Sequence, residues 1–256
     1  MSVKDKVLEA LEKEKGNYIS GEALAVTLKV SRNAVWKSIN ELKKKGYRIS
    51  SVSNRGYMLE EDNDIISAAG ILASLKKLSA DESPDALNVK INVYKELDST
   101  NNEAKRSVLF EGPHLIHKNV IIAVHQTAGR GHGEKDFDSP DGGIYLSILL
   151  EPSKIKYRSK SITEVIAEVM IKVIIFLFNK KPDRKSDNSL YFGEDKICGI
   201  LTEGISDLET GIYSNYIVGI GIPRSSFVKH DIISKDKNYI IAIILNEIYK
   251  TIDTEK

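Results

Sequence analysis

"VSRNAVWKSINELKKKGY", residues 30–47, decides the reading of the first part of the chain. Ser31 stands where a helix begins, with a hydroxyl that can accept from the open N–H groups of a first turn. Val35, Ile39 and Leu42 follow at helical spacing as one apolar stripe, and Gly46 stops the helix. Just before it, "ISGEALAVTLKV" (19–30) reads as a second helix capped by Ser20, with Leu24 and Leu28 facing inward. Before that, "VKDKVLEALEKEKG" (3–16) carries Val3, Val7, Leu8 and Leu11 at the same spacing and ends at Gly16. After it, "YRISSVSNRGYML" (47–59) reads as a hairpin that turns near Asn54-Arg55-Gly56.

Helix, helix, short turn, helix, hairpin is the plan of a winged helix-turn-helix. Its third helix enters the major groove with its N-terminal residues at the base edges. Ser31, Arg32, Asn33 and Lys37 are the candidate DNA-reading residues there, since Arg and Asn pair bidentately with guanine and adenine. Lys43, Lys44, Lys45 and Arg55 are placed to meet phosphates, which gives affinity without sequence choice. Trp36 is expected to pack on the wing or on the second helix. Charge agrees with a polyanion partner. Residues 1–60 hold 12 Lys+Arg against 7 Asp+Glu, whereas the rest of the chain is slightly acidic and the whole nets +1.

A single cysteine, Cys198, excludes an intrachain disulfide and fits a reducing compartment. It reads as a small buried strand residue. The N-terminus lacks the apolar core of a signal peptide, and the runs "VIIFLF" and "IIAIIL" are too short to span a bilayer, so the expected location is cytoplasmic with no membrane partner.

"EEDND" (60–64) breaks the chain after the wing, which suggests two domains, 1–63 and 64–256. "IISAAGILASLKKL" (65–78) is a short amphipathic helix and "SADESPDAL" (79–87) an irregular loop. Beyond it the pattern alternates. "VKINVY" (89–94), "VIIAV" (120–124) and "GGIYLSILL" (142–150) read as strands. "STNNEAKRSVL" (99–109) opens a helix capped by Ser99 or Thr100, with Glu103 near the capping-box position. "SITEVIAEVMIKVIIFLFNK" (161–180) holds a long apolar helix from Ser161 to about Asn179. "SLYF", "ICGILTEGIS" and "IYSNYIVGIGI" form antiparallel strands, and a last helix covers about 238–252. The class is α+β: a mixed β-sheet with helices against one face.

Between two of those strands lies "HQTAGRGHGEKDFDSP", 125–140. Glycines on both sides of Arg130 suit an anion-binding loop as well as a plain surface turn. Ser99, Thr100 and Asn101 at a strand-to-helix turn add donors for an anionic or strongly polar ligand. Lys196 precedes a buried strand. Tyr145 and Tyr191 read as sheet packing, and His125 and His132 lack companions at metal spacing, so no metal site is expected.

"DSTN" (98–101), "HQTAGRG" (125–131), "SPDGGIYLSILLEP" (139–152) and "KICGILTE" (196–203), in this order behind the winged helix, resemble the bifunctional biotin protein ligases, the biotin operon repressor class. The resemblance runs from about residue 1 to 222. It implies a class II synthetase-like ligase fold and ATP-dependent joining of biotin to AMP, followed by transfer to a lysine of a carboxylase's biotin carboxyl carrier domain. Biotin and ATP would be the substrates, with Mg2+ for adenylation. It also implies transcriptional repression of biotin genes at operator DNA; since one winged helix reads few bases, a homodimer on a two-fold site is expected. By the same resemblance Ser99, Thr100, Asn101 and Gln126 line the biotin end. Gly129, Arg130, Gly131 and His132 wrap the carboxyl and phosphate, and Phe137 stacks on adenine. Arg130 and Lys196 act on the reacting groups.

The chain departs from the family on the ATP side. Residues 132–136 replace a more cationic run, Ser186 replaces an aromatic, Ser189 an Asp, and Pro223 the usual Asn. The small C-terminal β-domain is read as missing. Two alternatives therefore stand beside the ligase: a catalytically weak or inactive biotin sensor that only regulates transcription, and a lipoate or other acyl ligase.

Overall fold

The computed structural model describes residues 2–79, 89–112, 117–157, 159–206, 209–234 and 236–254. The expected loop at 79–87 falls, apart from Ser79, outside the described residues. The chain forms two compact units: Met1–Asp81 with Ser234–Ala242, and Glu82–Ile233 with Ile243–Lys256.

In the first unit, α1 (Val3–Lys13), α2 (Gly21–Leu28) and α3 (Arg32–Lys44) are each started by a serine. Ser20 Oγ accepts from Ala23 N at 3.0 Å and Ser31 Oγ from Ala34 N at 3.2 Å, while Ser2 and Asp5 close a reciprocal box. Each such cap contributes about 1 kcal/mol. The three apolar stripes meet: Val7 and Leu11 of α1, Leu24 of α2, and Val35, Ile39 and Leu42 of α3 are all buried. Each aliphatic side chain so buried stabilises by roughly 1.5–3 kcal/mol. The wing is β1 (Ile49–Val52) paired antiparallel with β2 (Gly56–Leu59), with Ile49 opposite Leu59. Gly56, at φ +104°, ends the turn where the carbonyl of Ile19 comes within 2.1 Å of any added Cβ, so no side chain fits there.

The same unit holds α4 (Ala68–Leu78), capped by Ser67, and the start of α8 (Lys237–Ile252). Asn238 accepts from Ser67 N at 2.8 Å and donates to Ile65 O at 2.9 Å. Lys15 Nζ lies 2.6 Å from Asp236. Glu12 is buried beside this cluster, with Oε1 lacking a hydrogen-bond partner among the described residues.

The second unit is built on one mixed sheet: β3 (Ile91–Leu97), β4 (Asn119–Gln126), β5 (Ile144–Leu150), β6 (Asp183–Arg184), β7 (Leu190–Phe192), β8 (Asp195–Ser206) and β9 (Tyr213–Ile222). Their spatial order is β3-β4-β5-β9-β8-β7-β6. β3 and β4 run parallel, and every other neighbouring pair is antiparallel. α5 (Thr100–Glu111) is the crossover from β3, and its Ala104 and Val108 pack on Ile121, Leu149 and Ile217. α6 (Ile162–Phe178) and the short α7 (Arg224–Lys229) pack on β8. Helices against one face alone does not describe the result. All seven residues of β5 are buried, which requires cover on both faces, because successive side chains point to opposite sides. Among the described residues no helix is long and apolar enough to cross a membrane.

Candidate ligand pocket and nucleic-acid face

The ligand pocket lies where α5 starts and where the 125–140 hairpin folds over the sheet. It is lined by Ser99, Thr100, Asn101, Gln126, Arg130, Gly131, His132, Phe137 and Lys196, with glycines of β8 and β9 as its floor. Of the residues expected at the ligand from sequence, only Gly129 is not on the wall. The close passage of the chain over itself requires that glycine: a Cβ there would meet Phe137 O at 2.4 Å and Ser139 Oγ at 2.6 Å. The loop is a closed hairpin. Phe137 N donates to Gly129 O at 2.9 Å and Gly131 N to Lys135 O at 2.7 Å.

The start of α5 differs from the expected local cap. Ser99 is the N-cap residue, yet its side chain makes no capping bond and no Glu103 box forms. Instead Gln126 Oε1 accepts from Thr100 N at 2.8 Å. Gln126 Nε2 donates to Ser139 Oγ at 2.8 Å, and that hydroxyl donates to Phe137 O at 2.8 Å. A side chain 26 residues away thus ties the helix start to the hairpin. Asp98 anchors the same corner: Arg106 Nη2 donates to it at 2.6 Å and Asn102 at 2.9 Å, which holds its carboxyl well below the usual carboxylate range.

Asn101 is buried with both ends of its amide engaged. Nδ2 donates to Glu203 Oε2 at 2.8 Å, and Oδ1 accepts from Ser147 Oγ at 2.6 Å. Ser147 shares a further hydrogen bond with Thr100 Oγ1 at 2.8 Å, and Lys105 Nζ pairs with Glu203 at 2.7 Å. Asn101 therefore holds Thr100 and the helix start in place. Gly219 of β9 makes room for it, since a Cβ there would lie 2.5 Å from Asn101 Oδ1.

Gly199 and Gly221 stand opposite each other on β8 and β9 and form a flat platform. The Phe137 ring rests on it: added Cβ atoms would meet the ring at 2.6 and 2.5 Å. Tyr145 meets the ring edge-on at 6.3 Å, and Lys196 Nζ lies 5.2 Å from its centroid. The remaining free volume is about 30 Å3, because the ring fills much of the pocket. Tyr145, expected as sheet packing, is both buried and part of the wall, and its hydroxyl donates to Pro140 O at 2.8 Å.

Sequence reading passed over Asp187. It accepts from Ser189 N and Oγ, each at 3.1 Å. Burial pushes its carboxyl up, but these bonds and the charge of Lys196 outweigh burial and leave it below its ordinary value. The signal was there in "KSDNS": a carboxylate two residues before the substituted position. Cys198 is fully buried and burial pushes its thiol up to about 12, which leaves it no role as a nucleophile near neutral pH.

In the first unit a groove of about 720 Å3 runs between α3 and the wing. It brings Arg32 and Asn33 together with Trp36 and wing residues Ser51 to Asn54. Ser31 stays at the helix cap. Lys37 and Arg55 are exposed but do not line the groove, and the Arg55 guanidinium stacks 4.3 Å over Tyr18. Trp36, expected to pack on the wing or on α2, stands in the groove that α2 and the wing also line. It is 53% exposed and lines the groove, because its position on α3 lies outside the stripe of Val35, Ile39 and Leu42.

Comparison with known proteins agrees with both units. Residues 4–58 match an HTH domain family and residues 93–222 the Biotin/lipoate A/B protein ligase family. The chain is 28% identical over 217 residues to the bifunctional ligase/repressor BirA of Bacillus subtilis, covering 84% of this chain and 63% of the relative. It is 31% identical over 208 residues to that of Escherichia coli, covering 81% and 60%. It thus spans less than two thirds of these relatives. The fold is shared with the biotin protein ligase of Aquifex aeolicus in complex with biotin and ATP, at a TM-score of 0.50 and 23% identity over 64% of this chain and 70% of that one. It is also shared with the biotin acetyl coenzyme A carboxylase synthetase of Helicobacter pylori, at 0.51 and 20% identity over 64% and 75%. The chain belongs to the biotin/lipoate A/B protein ligase family, with a helix-turn-helix domain ahead of the ligase region.

Proposed function

We propose that the protein is a biotin–protein ligase that also represses transcription by binding operator DNA. One observation carries the reading: hydrogen-bonding groups of the α5 start, the Gly199/Gly221 platform and the cations Arg130 and Lys196 meet in one pocket. The bifunctional relatives, and a basic winged helix in the same chain, support the repressor half.

In the first step a carboxylate oxygen of biotin attacks the α-phosphorus of ATP. The bond to the β-phosphate breaks, pyrophosphate leaves, and biotinoyl-AMP forms. Two anions must approach, so fixed positive charge has to offset their repulsion. Arg130, carried on the closed hairpin, and Lys196, at the start of β8, supply it. Thr100, held by Ser147 and by its backbone bond to Gln126, presents the polar end for the ring system. In the second step the ε-amine of a lysine on a biotin carboxyl carrier domain attacks the acyl carbon and AMP leaves; Lys196 stabilises the oxyanion that develops. Among the described residues no group of three or more His, Cys, Asp or Glu forms a metal site. Mg2+ would be carried into the site on the triphosphate, as part of the substrate.

A sensor without turnover is the second reading. Ser189 on the pocket wall favours it, since a hydroxyl occupies the place of the family's carboxylate. Mixing the protein with biotin and magnesium-ATP labelled at the α-phosphate separates the two. Catalytic formation of biotinoyl-AMP supports the ligase. Biotin binding by folded protein without adenylate refutes it in favour of the sensor.

A further inference from the structure

A second cavity, of about 630 Å3, adjoins the pocket. Phe137 and Lys196 line both, so the ring is the partition between them. The outer cavity is further walled by Arg224, Lys229, Asp136 and Asp138. Of its three cations Lys229 is already paired with Asp195. Among the described residues neither Arg224 nor Lys196 has a carboxylate within ion-pair distance.

Arg224 is nonetheless fixed in place. Its stem lies over Gly142, with Cδ and Cγ 3.1 and 3.2 Å from the position a Cβ would take. Gly142 has φ +102°, so an L side chain there is disfavoured on both counts. Two residues along, Ser226 is 1% exposed. Its hydroxyl donates to Ile197 O at 3.2 Å and lies 3.5 Å from Lys196 O, and its N–H donates to Pro223 O at 3.0 Å. The segment bearing Arg224 is thereby pinned to the backbone bearing Lys196. Two cations that form no ion pair among the described residues thus share one frame in the outer cavity.

We propose that Arg224, acting with Lys196, binds the phosphate chain of a metal-complexed nucleoside triphosphate in the outer cavity. This rests on the ligase reading above and adds to it a guanidinium that offsets residues 132–136, where Glu134 and Asp136 outnumber Lys135. A guanidinium fits phosphate oxygens bidentately. Asp136 and Asp138 face the same space and oppose a bare anion. A phosphate chain that carries a divalent cation suits this mixed wall, and a metal-free one does not.

The test is calorimetric titration of the full chain, with biotin, with magnesium-ATP and with magnesium pyrophosphate, for the unaltered protein, Arg224→Ala and Arg224→Lys. Loss of a charge-assisted bond predicts about tenfold to hundredfold weaker binding of both phosphate ligands by Arg224→Ala. Biotin affinity should stay unchanged, Arg224→Lys should recover part of the loss, and chelation of magnesium should weaken ATP binding to the unaltered protein. Equal nucleotide affinity in Arg224→Ala overturns the inference alone. Biotin binding without nucleotide binding in the unaltered protein overturns the ligase reading with it. Parallel loss of biotin affinity in Arg224→Lys marks Arg224 as structural and also overturns the inference. Nucleotide binding that ignores chelation removes the role given to the metal.

Discussion

Glu12→Gln is the most informative single change in the first unit. Glu12 is 4% exposed, and burial pushes its carboxyl from 4.5 up to about 7; the charge of Lys15 pulls it back and that of Asp236 adds to the rise. The sign follows from the raised value. Below pH 4.5 the folded and unfolded chains both hold the proton, and Glu12 has no effect. Between 4.5 and about 7 the unfolded chain loses it while the folded chain keeps it, so stability falls by about 1.4 kcal/mol for each pH unit. Above that window the penalty is constant, at roughly 3 kcal/mol. The Gln variant cannot ionise. It should gain most of that stability at pH 8, less about 1 kcal/mol for an amide donor left without a partner, and gain nothing at pH 4.5. Trp36 is the single tryptophan and lies in this unit, so its fluorescence during urea unfolding of the whole chain reports the right transition. Identical pH dependence of the two proteins between pH 4.5 and 8 would refute the reasoning, as would equal destabilisation by the variant at both ends.

Three further expectations concern the functional faces. Gln126→Ala removes the long-range cap of α5 and should cost about 1 kcal/mol in denaturant unfolding, with weaker biotin binding by titration; unchanged biotin affinity would detach the helix start from ligand binding. Gly219→Ala drives a methyl into Asn101 and should cost about 1–3 kcal/mol and most of the biotin affinity, and a stable, fully binding variant would show that Asn101 does not hold the site. Arg32→Ala combined with Lys37→Ala should abolish operator retention in a gel-shift assay at physiological salt while biotin affinity stays unchanged. Loss of both would contradict two separable functions.

Local signals in the sequence were reliable where the physics is local. Ser20, Ser31 and Ser161 each begin a helix because the cap and its partner N–H lie three residues apart. The wing was legible because its turn residues adjoin its strands. Ser99 looked like the same signal and was not one, since Gln126 arrives through the fold to take the N–H first. Trp36 stands half exposed beside the groove because its angle around α3 lies off the apolar stripe. Most of the pocket wall could be named from motifs. That Phe137 rests on the two-glycine platform could not, because the contact joins three elements far apart in sequence. Arg224 was equally hidden: no motif marks it, and only the fold brings it to the cavity that Lys196 also faces.

α8 has a consequence for how the molecule is made. Its first residues, with Asp236 and Asn238, complete the first unit, and the rest belongs to the second. A ribosome releases the three-helix module and its wing long before residue 234 exists. Until then Lys15 and the backbone at Ile65 and Ser67 must stay hydrated or find substitutes, so the first unit emerges early but matures late. The same geometry sets the rule for shuffling modules among relatives: a transplanted helix-turn-helix module carries residues 234–242 with it or arrives without the Asp236 and Asn238 partners of Lys15, Ile65 and Ser67.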